Sequence, residues 1–243
     1  MAWRERAGGE PGLQLEALYS RRKVRPLDEP QLLYVLLKIQ PVLEAGGTSE
    51  APLNLCLVVD RSTSMKGARL QGLKTAVHKI VDECDADDLI SVVTFSDDAE
   101  VLVPAQHPRD PREVKTLVST IRADGATAIY SGLKKGLDQA ELNRQPRYVN
   151  HIILITDGRT YGDEGDCLRL AAEAHKRGVG ISAMGIGEDW NDRFLDALAS
   201  HTGGASTYVS SPEAVVGFLQ ERGRTPATTS VERLQFVAAP SAP

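Results

Sequence analysis

The chain has 243 residues, 42% of them hydrophobic and 25% charged. This length is sufficient for one α/β domain with a substantial buried core, plus additional segments. Its 28 basic and 33 acidic residues give a net charge of -5, which argues against nucleic acid and anionic membranes as partners. The start MAWRERAGGE lacks the apolar run of a signal peptide, and no segment is long enough to span a bilayer. Three cysteines without paired or CxxC spacing provide neither a disulfide framework nor a zinc site. We therefore expect a cytoplasmic protein.

The two ends of the chain predict a small β unit outside the main domain. An alternating run begins at Leu13, and Gln31–Gln40 carries apolar residues at alternate positions, so two strands are expected there. Near the other end, Val231–Ala238 follows a polar linker and predicts one more strand. We expect this strand to pair with the two N-terminal strands.

Between the ends, short apolar segments alternate with segments of helical periodicity. Strands are expected at Leu53–Val59, Leu89–Phe95, Glu100–Pro104, Asn150–Thr156, Val179–Ile186 and Thr207–Ser210. Helices are expected after Gly67, from Asp110-Pro111, and at Ala128–Leu142, Asp163–Arg177, Asp192–Ser200 and Pro212–Gln220. This alternation predicts an α/β fold with a doubly wound, mostly parallel sheet and right-handed crossovers.

The stretch LNLCLVVDRSTS, Leu53–Ser64, is the centre of the functional argument. An apolar strand stops at Asp60, and two hydroxyls follow at Ser62 and Ser64. Ligands of open α/β sheets bind outside the carboxyl ends of the strands. Along an extended loop alternate residues point the same way, so these three side chains can converge. Asp157 ends another apolar strand and can reach the same point if that strand is the parallel neighbour, roughly 5 Å away.

DRSTSM after an apolar strand resembles the first loop of a von Willebrand factor A (VWA) domain. The metal-ion-dependent adhesion site (MIDAS) of that family combines Asp-x-Ser-x-Ser with a Thr from a second loop and an Asp from a third. The sequence supplies both, as Thr127 in DGATAI and Asp157 in ITDG. The resemblance covers roughly Pro52 to Gln220 and implies a Rossmann-like sheet with helices on both faces.

The layout is also similar to that of bacterial and inter-alpha-trypsin-inhibitor-like relatives, in which β segments flank the A domain. It implies three parts. Residues 1–50 would be a tail with flanking strands, 51–222 the VWA domain, and 223–243 a linker with the last strand.

A hard divalent cation such as Mg²⁺ requires about six oxygen ligands. The resemblance implies that Ser62, Ser64 and Thr127 coordinate the cation directly, and that Asp60 and Asp157 do so directly or through water. Three neutral hydroxyls and only two carboxylates leave residual positive charge, so an Asp or Glu of a partner protein is attracted as the sixth ligand. Mg²⁺ is the expected metal, although Mn²⁺ and Ca²⁺ also favour oxygen. The prediction is a metal-dependent protein-binding module, not an enzyme, of undetermined oligomeric state.

Each of these residues also has a simpler explanation. Asp60 can start a turn, Asp157-Gly158 is a common turn dipeptide, and the three hydroxyl residues can cap helices. The joint spacing favours the metal site, because caps do not require it.

Two other functions stay open. One is a metal-dependent phosphoryl-transfer enzyme, although Ser62 stands where such a loop has its second carboxylate and no Lys lies in a phosphate-binding motif. The other is a scaffold with a vestigial site. Arg61 and Thr63 either change the charge at the rim of the site or the flexibility of the loop, or are exposed bystanders. The five histidines lack ligand spacing, and Gly185-x-Gly187 indicates a turn.

Overall fold

The computed structural model describes residues 13–19, 34–41, 51–158, 162–187 and 190–209, which belong to two units. The first unit contains β1 (Leu13–Tyr19) and β2 (Val35–Pro41), paired antiparallel. Both strands expected before the main domain are therefore present. The predicted helix Pro212–Gln220 and the predicted strand Val231–Ala238 lie outside the described residues.

In its described residues, the second unit has a six-stranded sheet with helices on both faces, as the sequence predicts. Its strands are β3 (Leu53–Asp60), β4 (Leu89–Phe95), β5 (Ala99–Gln106), β6 (Val149–Thr156), β7 (Val179–Gly185) and β8 (Ser206–Tyr208). Its α-helices are α1 (Ala68–Glu83), α2 (Pro111–Thr120), α3 (Ile129–Leu142), α4 (Glu164–Lys176) and α5 (Asp192–Ser200). The order β5-β4-β3-β6-β7-β8 is parallel throughout, except that β5 runs antiparallel to β4.

The central strands are apolar on both sides because each side is covered by helices. Leu55, Leu57 and Val59 pack with α1 and α2, whereas Cys56 and Val58 pack with α3, α4 and α5. Period-two alternation thus divides one continuous apolar run between two cores. Within the described ranges, no helix combines the length and apolarity needed to cross a bilayer.

Helix α3 approaches the sheet closely through two glycines. A Cβ atom added at Gly132 would lie 2.6 Å from Cδ1 of Phe95, and one added at Gly136 would lie 2.5 Å from Cγ2 of Val58. Side-chain atoms of β3 and β4 therefore fill the space above both glycines.

The strand order reverses between β3 and β6. From β3 the chain adds β4 and β5 on one side, and then returns to add β6, β7 and β8 on the other. Ligand crevices of doubly wound sheets lie at this reversal, outside the carboxyl ends of the strands. Val59 pairs with Ile155, so Asp60 lies level with Thr156, and Asp157 follows directly.

Candidate metal centre at the carboxyl edge of the sheet

Asp60 is held by hydrogen bonds to both of its carboxylate oxygens. The backbone N–H of Ser62 donates to Oδ1 at 2.7 Å, and the hydroxyl of Thr156 donates to Oδ2 at 2.6 Å. The same Thr156 hydroxyl accepts the N–H of Gly158 at 3.0 Å. Because Thr156 and Gly158 lie on either side of Asp157, this bridge joins the first loop of the site to the third.

The two carboxylates of the site are both buried. Burial raises the pKa of Asp60 to about 6, the hydrogen bonds from Thr156 and Ser62 oppose the rise, and the charge of Asp157 adds to it. Asp157 is only 1% exposed. Two buried carboxylates whose charges interact are stabilised by positive charge nearby. A divalent cation would add such charge.

Ser64 lies on a short 3-10 turn, Thr63–Met65, which Ser62 directly precedes, so the prediction of an extended loop is wrong after Ser62. The N–H of Met65 bonds to the carbonyl of Ser62 at 3.0 Å, and this bond bends the chain. The two serine hydroxyls nevertheless lie 3.0 Å apart. Adjacent oxygens in an octahedral Mg²⁺ shell are roughly 3 Å apart, given metal–oxygen distances of 2.0–2.1 Å. The serine pair therefore fits two neighbouring ligand positions.

None of the three hydroxyl residues acts as a side-chain cap in the structure. The cap residue of α1 is Gly67, Ser62 makes no side-chain cap bond to the 3-10 turn, and the cap residue of α3 is Ala128. The simpler explanation of these residues as helix caps is therefore wrong.

Thr127 is buried in the second loop, which is tied to the first by backbone bonds. The N–H of Asp124 bonds to the carbonyl of Arg61 at 2.8 Å, and the N–H of Thr63 bonds to the carbonyl of Gly125 at 3.0 Å. The first turn of α3, directly after the second loop, is held by the carboxylate of Asp163, which precedes α4 and accepts the N–H of Tyr130 at 2.8 Å.

Asp157 contacts a residue that the sequence analysis missed. Nη1 of Arg69 lies 3.3 Å from Oδ2 of Asp157 and 3.3 Å from the carbonyl oxygen of Ser64. A basic residue in the first turn of a helix opposes the helix dipole, and this was a usable signal in the sequence. The bridge by Thr156 was also missed, and it has no comparable signal because it depends on the register of β3 and β6.

Arg61 and Thr63 turn away from the other side chains of their loop. Nη2 of Arg61 lies 3.6 Å from Oε1 of Glu100, and the hydroxyl of Thr63 donates to the carbonyl of Gly125 at 2.7 Å. Arg61 is thus not a simple exposed bystander, because its side chain is only 25% exposed.

Histidine and cysteine do not provide an alternative metal site. Burial raises the pKa of Cys56 to about 12, so its thiol stays protonated at neutral pH. In the part of the chain that the structure describes, no three His, Cys, Asp or Glu residues gather to hold a metal. A cation at this edge would therefore use hydroxyl oxygens beside the two carboxylates, and this donor set suits a hard cation.

The sequence model of the family described as "von Willebrand factor type A domain" matches residues 54–221. The chain belongs to this family. A Synechocystis relative, uncharacterized protein sll0103, is 36% identical over 171 residues, which make up 70% of this chain and 40% of the relative. Mouse inter-alpha-trypsin inhibitor heavy chain H3 is 29% identical over 203 residues, with 76% of this chain and 22% of the relative covered. The chain thus spans less than half of either relative.

Solved structures show the same VWA fold. A von Willebrand factor type A protein from Catenulispora acidiphila aligns with a TM-score of 0.64 at 17% identity, covering 89% of this chain and 50% of that one. Mussel byssus proximal thread matrix protein 1 with a zinc-occupied MIDAS motif gives 0.58 at 24% identity, covering 71% and 45%. Manganese-loaded TRAP protein of Plasmodium vivax gives 0.58 at 19% identity, covering 68% and 71%.

VWA domains generally mediate metal-dependent protein–protein interactions. The two metal-loaded structures show that VWA relatives of this chain bind divalent cations.

Proposed function

We propose that this VWA domain binds a divalent cation through a MIDAS and uses it to capture a carboxylate of a protein partner. The proposed ligands are Asp60, Ser62, Ser64, Thr127 and Asp157. The observation that carries the proposal is the pair of serine hydroxyls, 3.0 Å apart, beside a fully buried Asp60 at the reversal point of the sheet.

The protein's own residues prepare the site for a hard cation. Thr156 and the N–H of Ser62 fix the carboxylate of Asp60, and the backbone bonds between the loops hold the segment of Thr127 against the serine turn. A bound Mg²⁺ would supply an electrophilic centre with a coordination position for a carboxylate. The two carboxylates do no more than balance the charge of the cation, and the three neutral hydroxyls leave it electrophilic, which favours an Asp or Glu of the partner at the remaining coordination position.

The proposal includes the absence of catalysis. A phosphoryl-transfer enzyme of this type would need a second carboxylate in the first loop, two residues after Asp60. Ser62 occupies that position. This arrangement favours binding over turnover.

Three further points also stay proposals. They are the division into residues 1–50, 51–222 and 223–243, the cytoplasmic location, and the preference for Mg²⁺ over Mn²⁺ or Ca²⁺.

The first test is thermal unfolding of metal-stripped protein with and without millimolar Mg²⁺. At about ten times the dissociation constant, mass action adds about 1.4 kcal/mol and raises Tm by about 3–6 °C. Asp157→Asn should abolish this rise, because it removes one of two carboxylates. Asp166→Asn, an exposed change on α4 outside the site, should keep it.

The second test is carboxylate binding. Acetate, titrated at constant ionic strength into ¹⁵N-labelled protein, should shift the amide signals of the three loops when Mg²⁺ is present and not when it is replaced by chelator. No Mg²⁺-dependent rise of Tm in the wild type, or an equal rise in Asp157→Asn, would reject the metal site. Acetate shifts that persist in chelator would reject the role of the metal in binding.

A further inference from the structure

Arg69 places a guanidinium on the metal-binding edge of the sheet. It belongs to the first turn of α1, yet Nη1 lies 3.3 Å from Oδ2 of Asp157 and 3.3 Å from the carbonyl oxygen of Ser64. The Arg69 side chain is 28% exposed, and that of Asp157 is 1% exposed. The ion pair is therefore partly shielded from water, and its charge is screened less than that of a surface pair.

The loop after β7 leaves room for this side chain. Gly187 has a φ of +93°, and a Cβ atom added there would lie 2.6 Å from Nε of Arg69. Glycine at this position serves both the left-handed backbone and the passage of the arginine. The position of the guanidinium is thus defined by α1, the serine turn and the loop after β7.

We propose that Arg69 is a positioning residue that weakens the binding of the metal and strengthens the binding of the partner's carboxylate. This inference rests on the proposed function. The guanidinium and the metal both draw on the negative charge of Asp157, so Arg69 lowers the affinity for the metal. A divalent cation and two carboxylates are formally neutral together, and the guanidinium of Arg69, 3.3 Å from Asp157, adds positive potential at the loaded site. Arg69 therefore raises the affinity for an anionic ligand.

The other arginine of the site has a different environment. Arg61 extends from the first loop towards β5, where its guanidinium meets the carboxylate of Glu100 at 3.6 Å. Arg61 thus forms its ion pair with a residue outside the predicted ligand set, whereas Arg69 contacts a predicted ligand. The test therefore substitutes Arg69.

The test compares Arg69→Gln with the wild type in two titrations of the full chain. Calorimetry measures the Mg²⁺ dissociation constant, and ¹⁵N NMR at saturating Mg²⁺ and constant ionic strength measures that of acetate. Removing one partly screened charge should tighten Mg²⁺ binding about fivefold and weaken acetate binding about fivefold. Raising the salt concentration should shrink both differences.

Two control variants separate charge from structure. Lys74→Gln removes a positive charge from the same helix, where the ammonium donates to the carbonyl of Ser119 on α2, and should leave both constants near those of the wild type. Arg69→Lys keeps the charge, so its dissociation constants for Mg²⁺ and for acetate should stay close to those of the wild type.

A purely structural role of Arg69 would not make Mg²⁺ binding tighter and acetate binding weaker in the same variant. If Arg69→Gln weakens both ligands, or changes neither while the wild type binds Mg²⁺, the inference is wrong and the proposed metal site stands. Agreement of Arg69→Lys with Arg69→Gln would likewise overturn the role of charge. If the wild type binds no Mg²⁺, the proposed function itself fails, and the inference fails with it.

Discussion

Thr156 is the last residue of β6, and its single hydroxyl satisfies two buried groups. It donates to Oδ2 of Asp60 and accepts the N–H of Gly158. A buried polar group without a partner costs about 1–3 kcal/mol, so one side chain here supports two loops of the site. The residue supports the proposed metal site without being one of its proposed ligands.

We expect Thr156→Val, which keeps the shape and removes the hydroxyl, to lower the free energy of unfolding by about 1–3 kcal/mol, because Oδ2 of Asp60 and the N–H of Gly158 lose their partner. Urea denaturation of metal-free protein measures the change. Thr156→Ser retains the hydroxyl and should lose only the buried methyl group, about 0.8 kcal/mol. A valine variant as stable as the wild type would show that the bridge contributes little.

At the same scale, four of the five candidate ligands could be chosen from the sequence because their neighbours mark them, whereas Thr127 was chosen through the resemblance to the VWA family. Asp60 and Asp157 end apolar runs, and Ser62 and Ser64 follow at fixed spacing. The bridge by Thr156 could not be predicted, because it requires the register of β3 against β6. The place of Arg69 in a first helix turn was a signal, but its contact with Asp157 depends on the direction of a long side chain. The 3-10 turn was missed for the same reason, since the bond from Met65 to Ser62 has no sequence signature.

Among the elements, α3 is the helix whose distance from the sheet depends on glycine. Gly132 and Gly136 lie on its inner face, against Phe95 and Val58. The spacing of four residues puts both on one face of the helix. By contrast, Gly72 of α1 is exposed, and no heavy atom lies within 4 Å of a Cβ atom added there.

This contrast predicts opposite effects of the same substitution. Gly136→Ala should destabilise the protein by about 1–3 kcal/mol, because the new methyl group collides with Val58 in a packed core. Gly72→Ala should stabilise it by about 0.5–1 kcal/mol, because alanine is the better helix former. Urea unfolding curves of the two variants measure both effects. A stabilising Gly136→Ala would mean that α3 can move away from the sheet at little cost.

The bounds of the elements could largely be predicted from the sequence. The predicted strand Leu89–Phe95 and the predicted helix Asp192–Ser200 agree with the structure at both ends. The reason is that their apolar residues have a clear period and that turn residues or caps flank them. The order of the strands in the sheet required the structure, since only loop lengths and general handedness rules bear on it.

At the scale of the whole molecule, the described apolar cores belong to the second unit. Both clusters draw their residues from 53–209, and β1 and β2 pair only with each other among the described strands. A domain that contains its own cores is expected to fold without the flanking strands.

We therefore expect a fragment of residues 51–222 to unfold cooperatively in urea, with a midpoint close to that of the second unit in the full chain. Circular dichroism measures the transition. A fragment of residues 51–204, which lacks β8, provides the control and should be less stable, because β7 then loses a neighbouring strand. If 51–222 shows no cooperative transition while the full chain does, the flanking segments are part of the folding unit.

The antiparallel strand β5 bears on how the protein behaves at high concentration. It is the outermost described strand on its side of the sheet, its pairing with β4 has register shifts at Val92, and Pro104 removes one N–H donor from it. Irregular pairing and proline make a strand a poor template for another chain. Parallel sheets form slowly, so newly made chains stay open to aggregation for longer. We expect β5 to contribute little to edge-to-edge aggregation of such chains.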